Sequence, residues 1–434
     1  MSRSRVAEVF ANEWPVLVAT LTRDLGDLSL AEESAQDAFT EAAARWGPDT
    51  TPTKPGAWLL TTARRKAIDT IRRGRRFNDR LPALLQLAET PQPEPAKLID
   101  DQLALIFGCC HPSLNHEARI ALTLRQVCGL STNQIGEAFL VPTATMAKRL
   151  VRAKKKIRAA GVPFKVPEPA QLADRVDDVL AIIYLIFTEG HTSSDGANLL
   201  RGDLCDEARW LASVLIDLLV GHGAQPGPSA DLSDLEHDAI AGRAETMGLY
   251  ALMSFTDSRR STRTNSSGDL VLLDDQDRSQ WDRQLIADGQ SMLASAMTLG
   301  HVGPYQLQAA IAGIHAQSQD WSCTDWLTIV ELYDNLEKLA PSPVVSLNRA
   351  AAVAMAEEPS VGLALIDELV ESGELDDYRY LHAGRADLLR RLGRHDEATT
   401  AYRRAIECSS NDAELAFLRQ RITEISRSNI PSQR

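Results

Sequence analysis

The chain has 434 residues, 44% of them hydrophobic, which is ample material for a large C-terminal core beside smaller N-terminal units. Its net charge of −13 hides a split: residues 1–165 hold 24 Lys+Arg and 17 Asp+Glu, or +7, so the whole-chain totals of 46 and 59 leave −20 for the remainder. A basic front on an acidic body is what a nucleic-acid module joined to a non-DNA module shows. The start MSRSRVAEVFANEW has no apolar signal core, and the longest apolar run, Val179 to Phe187, is too short to span a bilayer. A cytoplasmic protein with no membrane partner is the expectation.

The first readable element is SLAEESAQDAFTEAAARW, an amphipathic helix opened by Ser29, with Ala31, Ala35, Ala38, Phe39 and Ala42 inward. Its outer side, Glu33, Gln36, Asp37 and Glu41, is acidic and suits a protein partner better than DNA. After the breaker-rich stretch Gly47 to Gly56 comes a basic helix from Trp58 to Arg76. Leu60, Ala63, Ala67 and Ile71 form its apolar stripe, with Arg65, Lys66, Asp69, Arg72 and Arg73 opposite. Trp58, at its start, is read as packing inward in preference to stacking on an unpaired base. The segment ETPQPEP, Glu89 to Pro95, has no hydrophobic period and reads as an extended linker.

A three-helix unit follows. HEARIALTLRQVCGLS carries Ile120, Leu122, Leu124 and Val127 and closes at Cys128-Gly129. Ser131 then caps a short helix with Ile135, Ala138 and Phe139 inward, and Pro142 marks a turn. From Thr143 a second helix sorts cleanly by face: Met146, Leu150, Ala153 and Ile157 on one side, Ala144, Thr145, Lys148, Arg152 and Lys155 on the other, Arg149 and Lys156 on the flank. This is a helix-turn-helix that presents cations to the major groove of DNA.

From Pro167 onward the chain is helical and acidic. Ala386, Ala398, Tyr402 and Ala405 keep the 12, 4 and 3 spacing of a tetratricopeptide (TPR) repeat, and Ala352 and Ala364 stand 34 residues before the first two. Such repeats stack into a solenoid with a concave recognition surface. The crowd Asp274, Asp275, Asp277, Arg278, Trp281 and Asp282 is read as helix caps and salt bridges ahead of a cation site. Strand signals are confined to Asp269 to Leu273.

The order AEESAQDAF, WLLTTARRKAIDTIRR, Pro-rich linker, TATMAKRLVRAKKKI resembles an extracytoplasmic-function sigma factor of bacterial RNA polymerase. IYLIFTEGHTSS, LVLLDDQDRSQWDRQLI and GPYQLQAAIAGIHAQ look like blocks of the subgroup with a large TPR-like C-terminal extension. The resemblance implies an all-α protein with sigma region 2 at 5–80, a linker at 81–98, the region 4 helix-turn-helix at 99–165 and the TPR-like domain at 170–430. It implies that Gln36, Asp37 and Phe39 bind core polymerase. Trp58, Arg64, Arg65, Arg72, Arg73 and Arg76, with Asp69, would serve the minus-ten element, a flipped base being captured near Gly47 to Pro55. Thr143, Thr145, Lys148, Arg149, Arg152 and Lys155 would serve the minus-thirty-five element. The usual Ser-Glu-Gly opening of the recognition helix is here Pro142-Thr143-Ala144, and Lys148 stands where a small residue is more usual, so base preference at minus thirty-five is left open.

The function implied is promoter recognition, melting and initiation with core polymerase, through its clamp helices and flap. The C-terminal domain would regulate, or recruit a protein or intramolecular partner. The alternative is a ligand-sensing helix-turn-helix regulator, which has no use for the acidic helix joined to the Trp58 helix. Catalysis is not expected, since no P-loop, G-x-G-x-x-G after a strand or G-x-S-x-G occurs. No cofactor and no metal are expected: the six cysteines include adjacent Cys109-Cys110 but no C-x-x-C.

Overall fold

The computed structural model describes residues 2–46, 50–73, 95–139, 141–192, 200–223, 232–265 and 269–428. Among them are 18 α-helices and, in place of strands, a single bridge between Thr264 and Leu270, so the fold is all-α. The chain divides into two compact units, Met1–Ile186 with Ser213–Gly242, and Phe187–Ala212 with Arg243–Arg434.

In the first unit α1 (Ser2–Leu25), α2 (Leu28–Arg45) and α3 (Pro55–Arg73) pack on one another. The predicted stripes are buried, Ala31, Ala35, Ala38 and Ala42 of α2 and Leu60, Ala63, Ala67 and Ile71 of α3, as are Trp14, Leu17 and Leu21 of α1, on which both helices pack. Alanine on facing stripes lets the backbones approach, and Trp14 fills the centre. One start differs from expectation. Asp27, not Ser29, caps α2: its carboxylate accepts from the Ser29 and Leu30 amides at 2.9 and 3.2 Å, and its charge also suits the positive end of the helix.

Four further helices follow, α4 (Pro95–Cys109), α5 (His116–Gln126), α6 (Thr132–Ala138) and α7 (Thr143–Ala159). Helix α4 opens at Pro95, so the last residues of the expected 81–98 linker are helical; Glu89 to Glu94 lie outside the described residues. Cys109 and Cys110 are buried, and burial pushes the Cys110 thiol up to about 11, which leaves it inert. No group of three metal-binding side chains occurs among the described residues, and no helix there is long and apolar enough to cross a membrane.

The second unit holds the end of α8 (Pro169–His191), the start of α9 (Gly202–Gly223), most of α10 (Leu232–Asp257), and then α11 (Arg283–Met297), α12 (Pro304–Gln317), α13 (Trp326–Leu339), α14 (Pro343–Ala356), α15 (Pro359–Ser372), α16 (Arg379–Arg391), α17 (His395–Glu407) and α18 (Asp412–Ser428). From α11 to α18 each helix packs mainly on its neighbours in sequence, the one-dimensional stacking of a solenoid. The TPR positions Ala386, Ala398, Tyr402 and Ala405 are all buried.

The repeat register differs from the 34-residue reading. Ala364 is exposed, and the pair α14–α15 leads α16–α17 by 36 residues, so Ala350, Gly362, Ile366 and Leu369 are the equivalents of the later four. They keep the same 12, 4 and 3 spacing. Gly362 is required there: a Cβ would lie 2.4 Å from that of Ala354 and 2.6 Å from the Ala350 carbonyl. Tyr402→Ala is expected to remove roughly 3–5 kcal/mol of stability from this unit, against almost none for exposed Thr400→Ala, read as a shift in the urea midpoint.

The acidic crowd proves to be a capping device. Asp277 accepts from the Ser279 amide at 3.0 Å, Asp282 caps α11 through the Gln284 and Leu285 amides at 2.9 and 3.1 Å, and Trp281 is buried with its Nε1 donating to Thr262 at 3.0 Å.

Candidate nucleic-acid interface

Helix α7 is positioned by two short-range devices. At the start of α6 the Ser131 hydroxyl accepts from the Gln134 amide at 3.2 Å, while the Gln134 side chain accepts from the Ser131 amide at 2.8 Å, a reciprocal capping box. The turn into α7 is closed by the Val141 amide on the Gly136 carbonyl at 2.9 Å, and a Cβ at Gly136 would stand 2.9 Å from the Val141 carbonyl. The Thr143 hydroxyl donates to Asn133 at 2.8 Å and ties the two helices together.

Met146, Leu150, Ala153 and Ile157 are buried, which turns Thr145, Lys148, Arg152 and Lys155 to solvent. Arg149 is about a third exposed and pairs with Glu117 at 3.3 Å. No carboxylate lies anywhere on α7, so its outer face is a continuous cationic strip.

On α3 Arg65, Asp69 and Arg72 are exposed, while Lys66 pairs with Glu41 at 2.8 Å. Trp58 is partly buried and meets Trp46 edge-on at 5.2 Å. Arg64, expected to face DNA, is instead in the core: it is 6% exposed and grips Asp24 at 2.8 Å, in a network that also takes in Arg23 and Asp101. Its neighbour Arg65 is the exposed one because Arg64 falls beside the apolar stripe. Arg73 ends α3, and Arg76 lies outside the described residues, as does Gly47. On α2, Gln36 and Asp37 are exposed. Phe39 is buried, 4.8 Å from the Phe10 ring and 6.0 Å from Trp14, so it belongs to the core of this form rather than to its surface.

Within the first unit the helix groups that carry these two basic helices are docked on each other, a long-range feature that helical periodicity does not encode. The Glu32 carboxylate of α2 is buried and takes Arg125 of α5 at 2.7 Å, Gln126 at 2.7 Å and Lys154 of α7 at 2.9 Å. Gln36 donates to it as well, at 2.9 Å. Burial alone pushes such a carboxyl up, but the Lys154 and Arg125 charges outweigh that and hold Glu32 below its ordinary value. Around it, Asp27 pairs with Arg158 at 2.5 Å, and the Trp14 indole donates to the Gln126 carbonyl at 3.1 Å. Gly129, at φ +74°, sits so close that a Cβ would be 2.9 Å from Phe10 and 3.0 Å from Trp14. One local signal existed: Glu32 lies seven residues before Phe39 and three before Ala35, an acid inside an apolar stripe.

Comparison with known proteins matches residues 11–77 to sigma-70 region 2 and residues 104–157 to sigma-70 region 4. The chain belongs to the sigma-70 family of RNA polymerase sigma factors. Residues 175–226 and 228–297 of this sigma factor match a family of unknown function, DUF6596, so it carries a C-terminal extension beyond regions 2 and 4, consistent with an extracytoplasmic-function-like sigma factor. An uncharacterized protein of Rhizobium meliloti (strain 1021) is 39% identical over 419 residues, 95% of this chain and 94% of that one, so the extension is shared along with regions 2 and 4. Region 2 is therefore α1 to α3, and region 4 is α4 to α7.

Proposed function

We propose that this sigma factor brings core RNA polymerase to promoters by binding its clamp helices through Gln36 and Asp37 and its flap through region 4. Thr143, Thr145, Lys148, Arg149, Arg152 and Lys155 read the minus-thirty-five element. Trp58, Arg65, Arg72, Arg73 and Arg76 hold the melted minus-ten element, and Arg64 supports them from the core. The observation that carries this is the acid-free outer face of α7 together with the Arg65 and Arg72 side chains that α3 bares. Such a protein works in the cytoplasm, without cofactor or catalysis, and its C-terminal unit regulates activity or recruits a partner.

The docking through Glu32 belongs to a latent form. The two promoter elements are about 25 base pairs apart, on the order of 85 Å of duplex at 3.4 Å per step. Regions locked together by a buried ion cluster do not reach both at once, so polymerase binding must part them.

Run-off transcription on the DNA upstream of its own coding region, with core RNA polymerase and the full-length chain, is expected to give a discrete transcript that neither component makes alone. A chain that retards that duplex but neither binds polymerase nor yields a transcript is the ligand-sensing regulator instead.

A further inference from the structure

The helix pairs of the second unit leave a cavity of about 370 Å³ between α13, α14 and α16. Asn348, Ala351 and Met355 of α14 line it, and so do Gly384, Asp387 and Arg391 of α16, which stand 36 positions later and are their equivalents in the repeat. One face of two successive first helices thus builds one wall. Trp326 and Tyr333 of α13, Trp321 just before it and Tyr380 of α16 add flat aromatic surfaces. Trp321 meets Trp326 edge-on at 4.6 Å, so these two rings hold each other in place. A cavity of this size, largely apolar with a few convergent polar groups, is what a small-molecule site requires.

Two features of the wall have no structural work. Gly384 sits in the middle of α16, where glycine weakens a helix relative to alanine. No close approach demands it: a Cβ there would meet only the Ile366 Cδ1, at 3.9 Å, an ordinary contact. Its missing side chain keeps the cavity open. Arg391 donates its Nε–H to Asp387 at 2.6 Å, but its Nη1 faces the Met355 sulfur at 3.1 Å and its Nη2 stands 3.9 Å from Asp274, beyond hydrogen-bond range. A thioether is a weak acceptor, so the outer fork of this guanidinium has no oxygen partner among the described residues.

The charges sort the ligand classes. Asp387 is the one acid among the described residues of the lining, and both its oxygens are taken, by Arg390 and Arg391 at 2.6 Å each, so a cationic ligand finds no free carboxylate. The open fork matches the two oxygens of a carboxylate, while Asp274 and Asp387 disfavour the second charge of a phosphate.

We propose that this cavity binds a small aromatic carboxylic acid, its ring among Trp326, Tyr333 and Tyr380 and its carboxylate on the two Nη atoms of Arg391. The site lies wholly in the C-terminal unit and is independent of promoter recognition.

The test is calorimetric titration of the full-length protein with benzoate, phenylacetate and indoleacetate, each paired with its neutral amide at equal ionic strength. The expected result is that one or more of the acids binds with a dissociation constant below about 1 mM, tenfold or more tighter than its amide. Arg391→Gln brings that acid and its amide to the same affinity. Asp274→Asn, which removes the competing carboxylate, tightens the acid alone. Gly384→Leu fills the cavity and abolishes the binding of both, with a Tm at or above that of the parent because leucine favours the helix. No binding by any of the three acids, equal affinity of acids and amides in the unaltered protein, or parental binding in Gly384→Leu overturns the proposal. Tighter binding of an acetylated tripeptide ending in tryptophan than of any free acid overturns it as well, and makes the ligand a peptide C-terminus.

Discussion

Glu32→Lys is expected to part regions 2 and 4 in the free sigma factor. The substitution places a cation against Arg125 and Lys154, which now share the Glu32 carboxylate at 2.7 and 2.9 Å. Breaking a buried ion pair by removing one partner costs roughly 3–5 kcal/mol, enough to shift a two-state docking equilibrium more than a hundredfold. Energy transfer between probes on exposed Thr61 of α3 and Lys156 of α7 should fall accordingly. Initiation at limiting polymerase should start faster, because the opening step has been supplied by mutation. The charge reversal Glu32→Lys with Lys154→Glu should recover part of the transfer, whereas Lys154→Glu alone should not. Unchanged transfer in Glu32→Lys would sink the idea that this carboxylate holds the latent form.

The pH dependence follows from the same group. Glu32 is held below its ordinary 4.5 in the docked state, so its contribution is complete above that value and is lost as pH falls through the lower one. Transfer between the same probes should thus be flat at neutral pH and drop only on strong acidification. A Glu32→Gln protein should lack that acid step.

What the sequence revealed and what it hid divide along contact range. The two faces of α7 were legible because Met146, Leu150, Ala153 and Ile157 recur at the helical period, and a period is a local property. The same reasoning found the stripe of α3. It misassigned Arg64 because adjacent positions on a wheel differ by 100°, and only the position of Asp24, forty residues away, decides which arginine turns inward. Glu32 bonds partners 93, 94 and 122 positions distant, and no local pattern encodes those. The TPR spacing within a hairpin was readable, yet the period between hairpins was not. The loop between α15 and α16 carries extra residues, and loop length is free to vary where packing is not.

Arg149→Ala with Arg152→Ala is expected to cut promoter-specific initiation about a hundredfold, since each lost contact to base or phosphate is worth roughly a factor of ten. The effect should be read as the ratio of run-off transcript from an intact minus-thirty-five element to that from a scrambled one. Arg152 is exposed and Arg149 has only a part-exposed pairing with Glu117, so the double variant should keep the Tm of the parent protein. The salt dependence of duplex binding should flatten by about two units if both side chains neutralise phosphates. Arg64→Ala supplies the contrast. It strands buried Asp24 with Arg23 alone, so it should lower Tm first and lose transcription in proportion to the protein unfolded. Unimpaired element-specific initiation by the Arg149/Arg152 variant would remove α7 as the reader of the minus-thirty-five element, and an Arg64→Ala protein of parental Tm that fails only at melting would return Arg64 to the minus-ten face.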